Sequence, residues 1–513
     1  MAVSLVTTIL DNFWAISLAL ILPLALYTLW STWNEQSHIP GPFLASLTNL
    51  PRLRWSYSST AHLTHIKLHE QYGDLVRIGP SCISVGDPRE ISKIYGISSN
   101  FQKSDFYRVL QPMARGNVIQ GLFNTQDDNL HRAMKKPIAA MYSMSSMVEF
   151  EPYINTTIDF FFKRLEEVQK IDSRHSCDLG AWLQWYAFDV MGEVTFSKRL
   201  GFLDEAKDVD GIIATIWKHF QFCSVVGQMP WLDYVWAKNK FVNRMLPAKI
   251  HPVIAFALAR AGERKQKASS LEGKDSANEQ NSRDFMSRFI EIQAKDPSIP
   301  ESFVTAWAYS NVLAGSDTTA IMLRSIIYFL IRNPSSLRKL TAELTQARSE
   351  GRLSNIVTWA ESRRLDYLDA CVKEAGRLHP AIGLTMERVV PEGGAEICGK
   401  HFKAGTVVGM NPWVIHRSKE IFGSDVYEWN PDRWLGDETR RREMERCLLT
   451  FGMGHRTCIG KNLSYIEIYK LIPTLFARYD MELADPTKEW HLANSWLVVQ
   501  TGLEVKLRSK KTL

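Results

Sequence analysis

No two of the seven cysteines (positions 82, 177, 223, 371, 398, 447 and 458) stand in a CxxC pair, which excludes a zinc ribbon. Their odd number and wide spread in so large a chain also argue against a disulfide framework and point to a reducing compartment. A strong excess of one sign of charge is lacking as well. A net charge of +6 over 513 residues is too weak to argue for a nucleic-acid partner. No lysine or arginine precedes Arg52, and the first apolar run has no small-residue cleavage site, so the N-terminus does not read as a cleaved signal peptide. Internal repeats are missing, and so is any domain boundary beyond the first forty residues.

The apolar fraction of 45% and charged fraction of 23% are those of an ordinary folded chain, long enough for a large core. From Phe13 to Trp30 no residue is charged, and the uncharged run extends to Trp33. At helical rise this covers about 27–32 Å, enough for a hydrocarbon core. Trp14, Tyr27, Trp30 and Trp33 lie toward its two ends, where interfacial anchors belong. Residues 1–38 therefore read as a membrane anchor and linker, and 39–513 as one large domain. "IPGP" (39–42) is expected to be a stiff, non-helical spacer between them.

Within the domain, residues 73–88 read as two short strands around a Gly-Pro turn. Residues 89–380 are mostly helical in pattern, broken by a polar loop at 263–284. Residues 396–410 resemble a hairpin and 495–508 terminal strands. The expected fold class is mainly α with a small β part.

"FGMGHRTCIG" (451–460) places Cys458 in a glycine-punctuated loop, with Arg456 two residues before it. From the loop alone the thiol could be a nucleophile, a disulfide half, a zinc ligand or a haem ligand. The spacing F-x-x-G-x-R-x-C-x-G would arise by chance on the order of once in ten thousand chains of this length. A helical pattern follows directly, so the loop feeds a helix N-terminus, whose dipole and free N–H groups favour a thiolate. Here the chain resembles the cytochrome P450 family of haem-thiolate monooxygenases, over essentially its whole length behind the transmembrane helix.

The resemblance implies that Cys458 is the axial ligand of a haem iron and that Arg456 pairs with a haem propionate. "AGSDTT" (314–319) interrupts an apolar run with poor helix formers; Gly315 alone costs about 1 kcal/mol against alanine. The bland reading is a tolerated weak spot with back-bonded hydroxyls. The functional reading is that Gly315 lets a planar cofactor lie against the backbone while Asp317 and Thr318 form a proton relay. The resemblance further assigns Glu374, Arg377 and Arg433 to a structural triad, and Arg388 to a second propionate contact. In "HRAMKK" (131–136) His131 and Lys135 replace the family's usual tryptophan and arginine, so a propionate contact there lacks the guanidinium fork.

The stretch from Arg377 to Arg417 resembles the microsomal pisatin-demethylase-like enzymes of filamentous fungi. That likeness implies a place in secondary metabolite biosynthesis, on a terpenoid, polyketide or alkaloid. It also implies an NADPH-cytochrome P450 reductase as electron donor, docking near the basic 439–447 segment, His455 and Lys461. The expected location is the endoplasmic-reticulum membrane, single-pass, with the catalytic domain on the cytosolic side. Expected pocket residues are the 104–123 loop, Leu313, Ala314, Ala381, Ile382 and on to Leu384, then Trp496, Leu497 and Val498, which suit a hydrophobic small-molecule substrate. The alternative class is a haem-thiolate isomerase or dehydratase acting on peroxides, which commonly lacks the acid–threonine pair.

Overall fold

The computed structural model describes residues 36–510, apart from 115–116, 172–175, 246–253, 257, 260–261 and 263–283. The Phe13–Trp30 stretch and the 263–283 segment lie outside these. Among the described residues, no helix is long and apolar enough to cross a membrane.

The domain is mainly helical, with a small sheet component set to one side. The elements that position the site are, in chain order, helices α1 (Leu50–Tyr57), α2 (Ala61–Tyr72), α3 (Asp128–Lys135), α4 (Glu151–Ile171), α5 (Leu179–Phe196), α6 (Ile212–Val226), α7 (Glu301–Arg332), α8 (Asp366–Leu378) and α9 (Lys461–Arg478). A five-stranded sheet comprises β1 (Leu75–Gly79), β2 (Cys82–Val85), β3 (Gln102–Lys103), β4 (Arg388–Val389) and β5 (Val407–Gly409), in the order β1-β2-β5-β4-β3. A separate hairpin pairs β6 (His491–Ser495) with β7 (Leu497–Thr501). The strands read at 73–88 are β1 and β2. The 396–410 stretch divides: Ala395–Ile397 and Lys400–Phe402 form the hairpin, while β5 leaves it to pair with β2 and β4.

Helix α7 is the axle of the fold. Although "AGSDTT" was read as an interruption, the helix runs unbroken from Glu301 to Arg332. The Ser316 and Ser325 hydroxyls donate back to Val312 and Ile321 carbonyls, both at 2.8 Å, so these side chains are satisfied within the helix. Burial on nearly every face then outweighs weak propensity. Gly315 also has a packing reason: a Cβ there would meet Met191 Sδ at 2.6 Å, so glycine lets α5 approach closely.

"IPGP" is non-helical, with Pro42 extended, but is no free spacer. The Pro40 carbonyl accepts from the Arg77 amide at 2.8 Å, Ile39 is buried, and a Gly41 side chain would strike the Arg77 backbone.

Candidate haem-thiolate site

Two residues of the cysteine loop require glycine on conformational grounds, since Gly452 and Gly454 both have φ +67°. Gly454 also lies against the backbone of Tyr95 and Gly96, where any side chain would collide. The loop closes when the Cys458 amide donates to the Phe451 carbonyl at 2.9 Å. Helix α9 starts three residues later, and Thr319 of α7 meets Ser464 of α9 at 3.0 Å. The helix carrying "AGSDTT" and the helix leaving the cysteine loop are thus directly bonded.

The Cys458 thiol is accessible even though protein surrounds it on all sides, so it faces an interior chamber and not the outer surface. On α7, Ala314 is likewise open and Leu313 and Thr318 partly so, while Val312, Ser316 and Asp317 are buried. Burial pushes the Cys458 thiol pKa up. The amides of Gly460 and Lys461 and the charges of Lys135 and Lys461 oppose this without cancelling it, so the helix start lowers the thiol pKa less than burial raises it.

Beside the thiol lies a crowd of cations. Arg456 donates to Asp128 at 2.5 and 3.0 Å and to the Thr125 carbonyl at 3.1 Å. Asp127 caps α3 and so aims Asp128, His131 and Lys135 at this loop. The Lys135 ammonium donates to the His455 carbonyl at 2.8 Å. Arg388 sits in β4 opposite Lys103 of β3, donates to the Tyr107 hydroxyl at 3.4 Å and lies over the Tyr95 ring. Burial first, then Arg388 and Arg456, push the Lys103 pKa far down. The His131 pKa falls to about 3 through burial and the charges of Arg456, Lys135 and Lys103. Five basic side chains gather here, and of them Asp128 bonds only Arg456 while its charge reaches Lys103, so the donor set fits a ligand bearing two carboxylates. With an enclosed thiol alongside, haem fits.

Lys103 was not legible in the sequence, because "FQKSDF" carries no pattern; only the strand register places it against Arg388. Gln184 and Arg324 were missed too. Gln184 donates to Asp317 at 2.6 Å, and Arg324 donates to Gln184 and to the Gly180 carbonyl. An arginine seven residues after Asp317 in an apolar helix is the signal that could have found it, being two turns along the same face. Burial raises the Asp317 pKa to about 6, against the Gln184 bond and the Arg324 charge. Thr318 faces elsewhere and donates to the Ala314 carbonyl at 2.7 Å.

Glu374, Arg377 and Arg433 are brought together in the core. Arg377 donates to both Glu374 oxygens at 2.7 and 2.9 Å, and Arg433 reaches Glu374 at 3.1 Å and Asp425 at 2.8 Å. Trp434 and the Asn430 amide complete the shell of the carboxylate.

Ala381, Ile382, Leu384, Trp496, Leu497 and Val498 meet as one wall, with Ile382 bridged to Leu497. Trp496 turns the β6–β7 hairpin at φ +76°, a conformation costing a bulky residue about 1–3 kcal/mol. Its ring packs on Phe106 at 5.0 Å and Phe123 at 6.0 Å.

The family model "Cytochrome P450" matches residues 39–508. A "Cytochrome P450 monooxygenase" of Aspergillus terreus is 51% identical over 446 residues, 87% of this chain and 90% of that protein. "Cytochrome P450 monooxygenase cicH" of Emericella nidulans is 48% identical, over 92% of this chain and 94% of its own length. "Cytochrome P450 monooxygenase mpaDE" of Penicillium brevicompactum is 41% identical over 96% of this chain but 58% of that larger protein. The chain belongs to the cytochrome P450 family of haem-dependent oxidoreductases and is a monooxygenase.

Proposed function

We propose that this monooxygenase inserts one oxygen atom of O2 into a hydrophobic small molecule, as a step in fungal secondary metabolite biosynthesis on a terpenoid, polyketide or alkaloid. Its electrons come from NADPH through NADPH-cytochrome P450 reductase. It works at the endoplasmic-reticulum membrane, single-pass, with the domain in the cytosol.

The observation that carries the reading is Asp317: a buried acid with a pKa near 6, beside Thr318, on a helix bonded to the one that leaves the cysteine loop. An acid poised near working pH can hold or release a proton on demand, which suits oxygen insertion and is superfluous for peroxide rearrangement. When bound, haem supplies the redox centre at which O2 is reduced. Cys458 holds its iron, and Arg456, Arg388, His131, Lys135 and Lys103 hold its carboxylates. Asp317 stores a proton, Gln184 fixes the carboxyl, and Thr318 offers a hydroxyl lone pair at the open face of α7. The aromatic group Phe106, Tyr107, Phe123 and Trp496 supports an apolar substrate.

Arg440, Arg442 and Arg446 are exposed on the helix Glu438–Arg446 and support reductase docking, although Arg442 is paired with Glu438. His455 remains partly exposed while contacting Asp128 at 3.4 Å. Trp231, Tyr234, Trp236 and Phe241 are exposed just beyond α6, which packs on α1; they support membrane contact there.

The test is spectroscopic and kinetic. Reduced protein under carbon monoxide should show the red-shifted Soret band of thiolate ligation, lost in Cys458→Ala. Oxidised product should require NADPH and reductase. Direct rearrangement of a hydroperoxide, without either, would replace this reading with the isomerase class.

A further inference from the structure

The short backbone stretch Ala381–Gly383 joins the two segments of the wall beside Trp496. The Gly383 amide donates to the Trp496 carbonyl at 2.8 Å, and the Val498 amide donates to the Ala381 carbonyl at 2.9 Å. The Gly383 carbonyl takes two donors at once, Asn411 Nδ2 at 3.0 Å and Asn494 Nδ2 at 2.9 Å. A Cβ at Gly383 would strike Val498 Cγ2 and meet Asn494 Nδ2 at 2.6 Å, so the junction accepts only glycine.

Each asparagine is itself held. Asn411 Nδ2 also lies 3.1 Å from His65 Nδ1, and Asn494 Nδ2 lies 3.3 Å from His62 Nδ1. An amide nitrogen carries two hydrogens, one for the Gly383 carbonyl and one for the imidazole, provided that ring nitrogen is unprotonated. Burial, with nearby cationic and imidazole neighbours, lowers both histidine pKa values to about 3, so both rings are neutral acceptors. Asn411 is steadied further, because its Oδ1 accepts from the Trp413 amide at 3.0 Å. The clamp thus ties α2, the loop before β4, the loop after β5 and the β6–β7 hairpin to one carbonyl oxygen. None of these polar groups touches the thiol loop.

We infer that Asn411 and Asn494, backed by His65 and His62, are positioning residues for substrate selection: by gripping Gly383 they hold Ala381–Leu384 and Trp496–Val498 as one rigid wall. The inference rests on reading the space between α7 and Cys458 as the substrate chamber. Freed from the clamp, the wall should move with Trp496, whose left-handed backbone is held in part by the Gly383 bond. Large ligands would feel this change far more than small ones. A general loss of stability would instead scale both alike.

The experiment uses the full-length haem protein and two probes that ligate iron through an azole nitrogen, imidazole and the bulky clotrimazole. Spectral titration gives a dissociation constant for each, and their ratio is the readout. Asn494→Ser and Asn411→Ser each remove one arm of the clamp without adding charge. At least one of them should shift the clotrimazole-to-imidazole ratio by about tenfold or more, the scale of losing one or two buried hydrogen bonds. Leu340→Ala, a buried core change outside the wall, should leave the ratio unaltered. Unchanged ratios in both serine variants would overturn the clamp, and so would an equal shift in Leu340→Ala. Wild-type haem protein that binds neither azole would overturn the chamber reading, and the inference with it.

Discussion

Gln184 stands between Asp317 and Arg324, its amide nitrogen 2.6 Å from the carboxylate and its amide oxygen 2.9 Å from the guanidinium. The acid and an arginine two turns along the same helix are joined through a neutral bridge. Arg324 therefore pulls on the Asp317 pKa more weakly than a direct partner would, and burial prevails.

A folded-state pKa raised above the unfolded value means that the native state binds the proton more tightly. Asp317 therefore costs stability above its unfolded pKa of 3.8, increasingly as pH rises toward about 6, and by about 3 kcal/mol beyond it. Asp317→Asn should match the wild type near pH 4 and exceed it by roughly that amount at pH 8, in denaturant melts across pH. Parallel curves would show that the carboxyl titrates normally.

Thr318→Ala removes a back-bond to the Ala314 carbonyl, so its stability cost should stay below about 1 kcal/mol and haem content should hold. Product formed per NADPH should fall steeply, with hydrogen peroxide taking its place, and productive turnover should drop by about 10²–10⁴-fold. Unaltered coupling would reduce Thr318 to a satisfied helix residue.

Glu374→Ala leaves the fully buried Arg377 without a carboxylate and takes from the nearly buried Arg433 one of its two, Asp425 being the other. Breaking such a network from one side costs about 3–5 kcal/mol. The variant should accumulate as haem-poor, protease-sensitive protein, measured by pyridine haemochromogen per mole of chain. Full haem content and wild-type protease resistance would mean that the cluster is dispensable.

Lys103→Met separates two states. In the haem-free protein it relieves repulsion from Arg388 and Arg456, so the melting temperature should rise. In the loaded protein it removes a carboxylate partner, so transfer of haem to apomyoglobin should quicken. Faster loss without apoprotein stabilisation would point to packing and not to charge.

How much could be read beforehand follows local pattern. The cysteine loop and the Asp317–Thr318 pair announce themselves because their chemistry needs fixed spacings along the chain, whereas the Glu374–Arg377 spacing recurs at Glu361, Glu438 and Glu443 and is informative only by its place before the cysteine loop. Lys103, Gln184 and the asparagines at 411 and 494 were invisible, since each acquires its partner only through strand register or helix contact. The packing role of Gly315 was invisible for the same reason: its neighbour Met191 belongs to another helix, more than a hundred residues away. The pairing of His455 with Asp128 was likewise hidden, because the two lie on segments more than three hundred residues apart.

The docking of Pro40 on Arg77 bears on how the molecule stays apart from its own copies. β1 is the outermost strand of its sheet, and such a strand offers unpaired amides to any passing chain. The Pro40 carbonyl occupies the Arg77 amide, and a proline, which has no amide hydrogen, offers no donor of its own with which to extend the ladder. The short lead-in at 39–42 thus acts as an edge guard. Trimming the chain past Pro42 would leave the haem site untouched in sequence, yet would unveil a sticky border along which molecules could zip together.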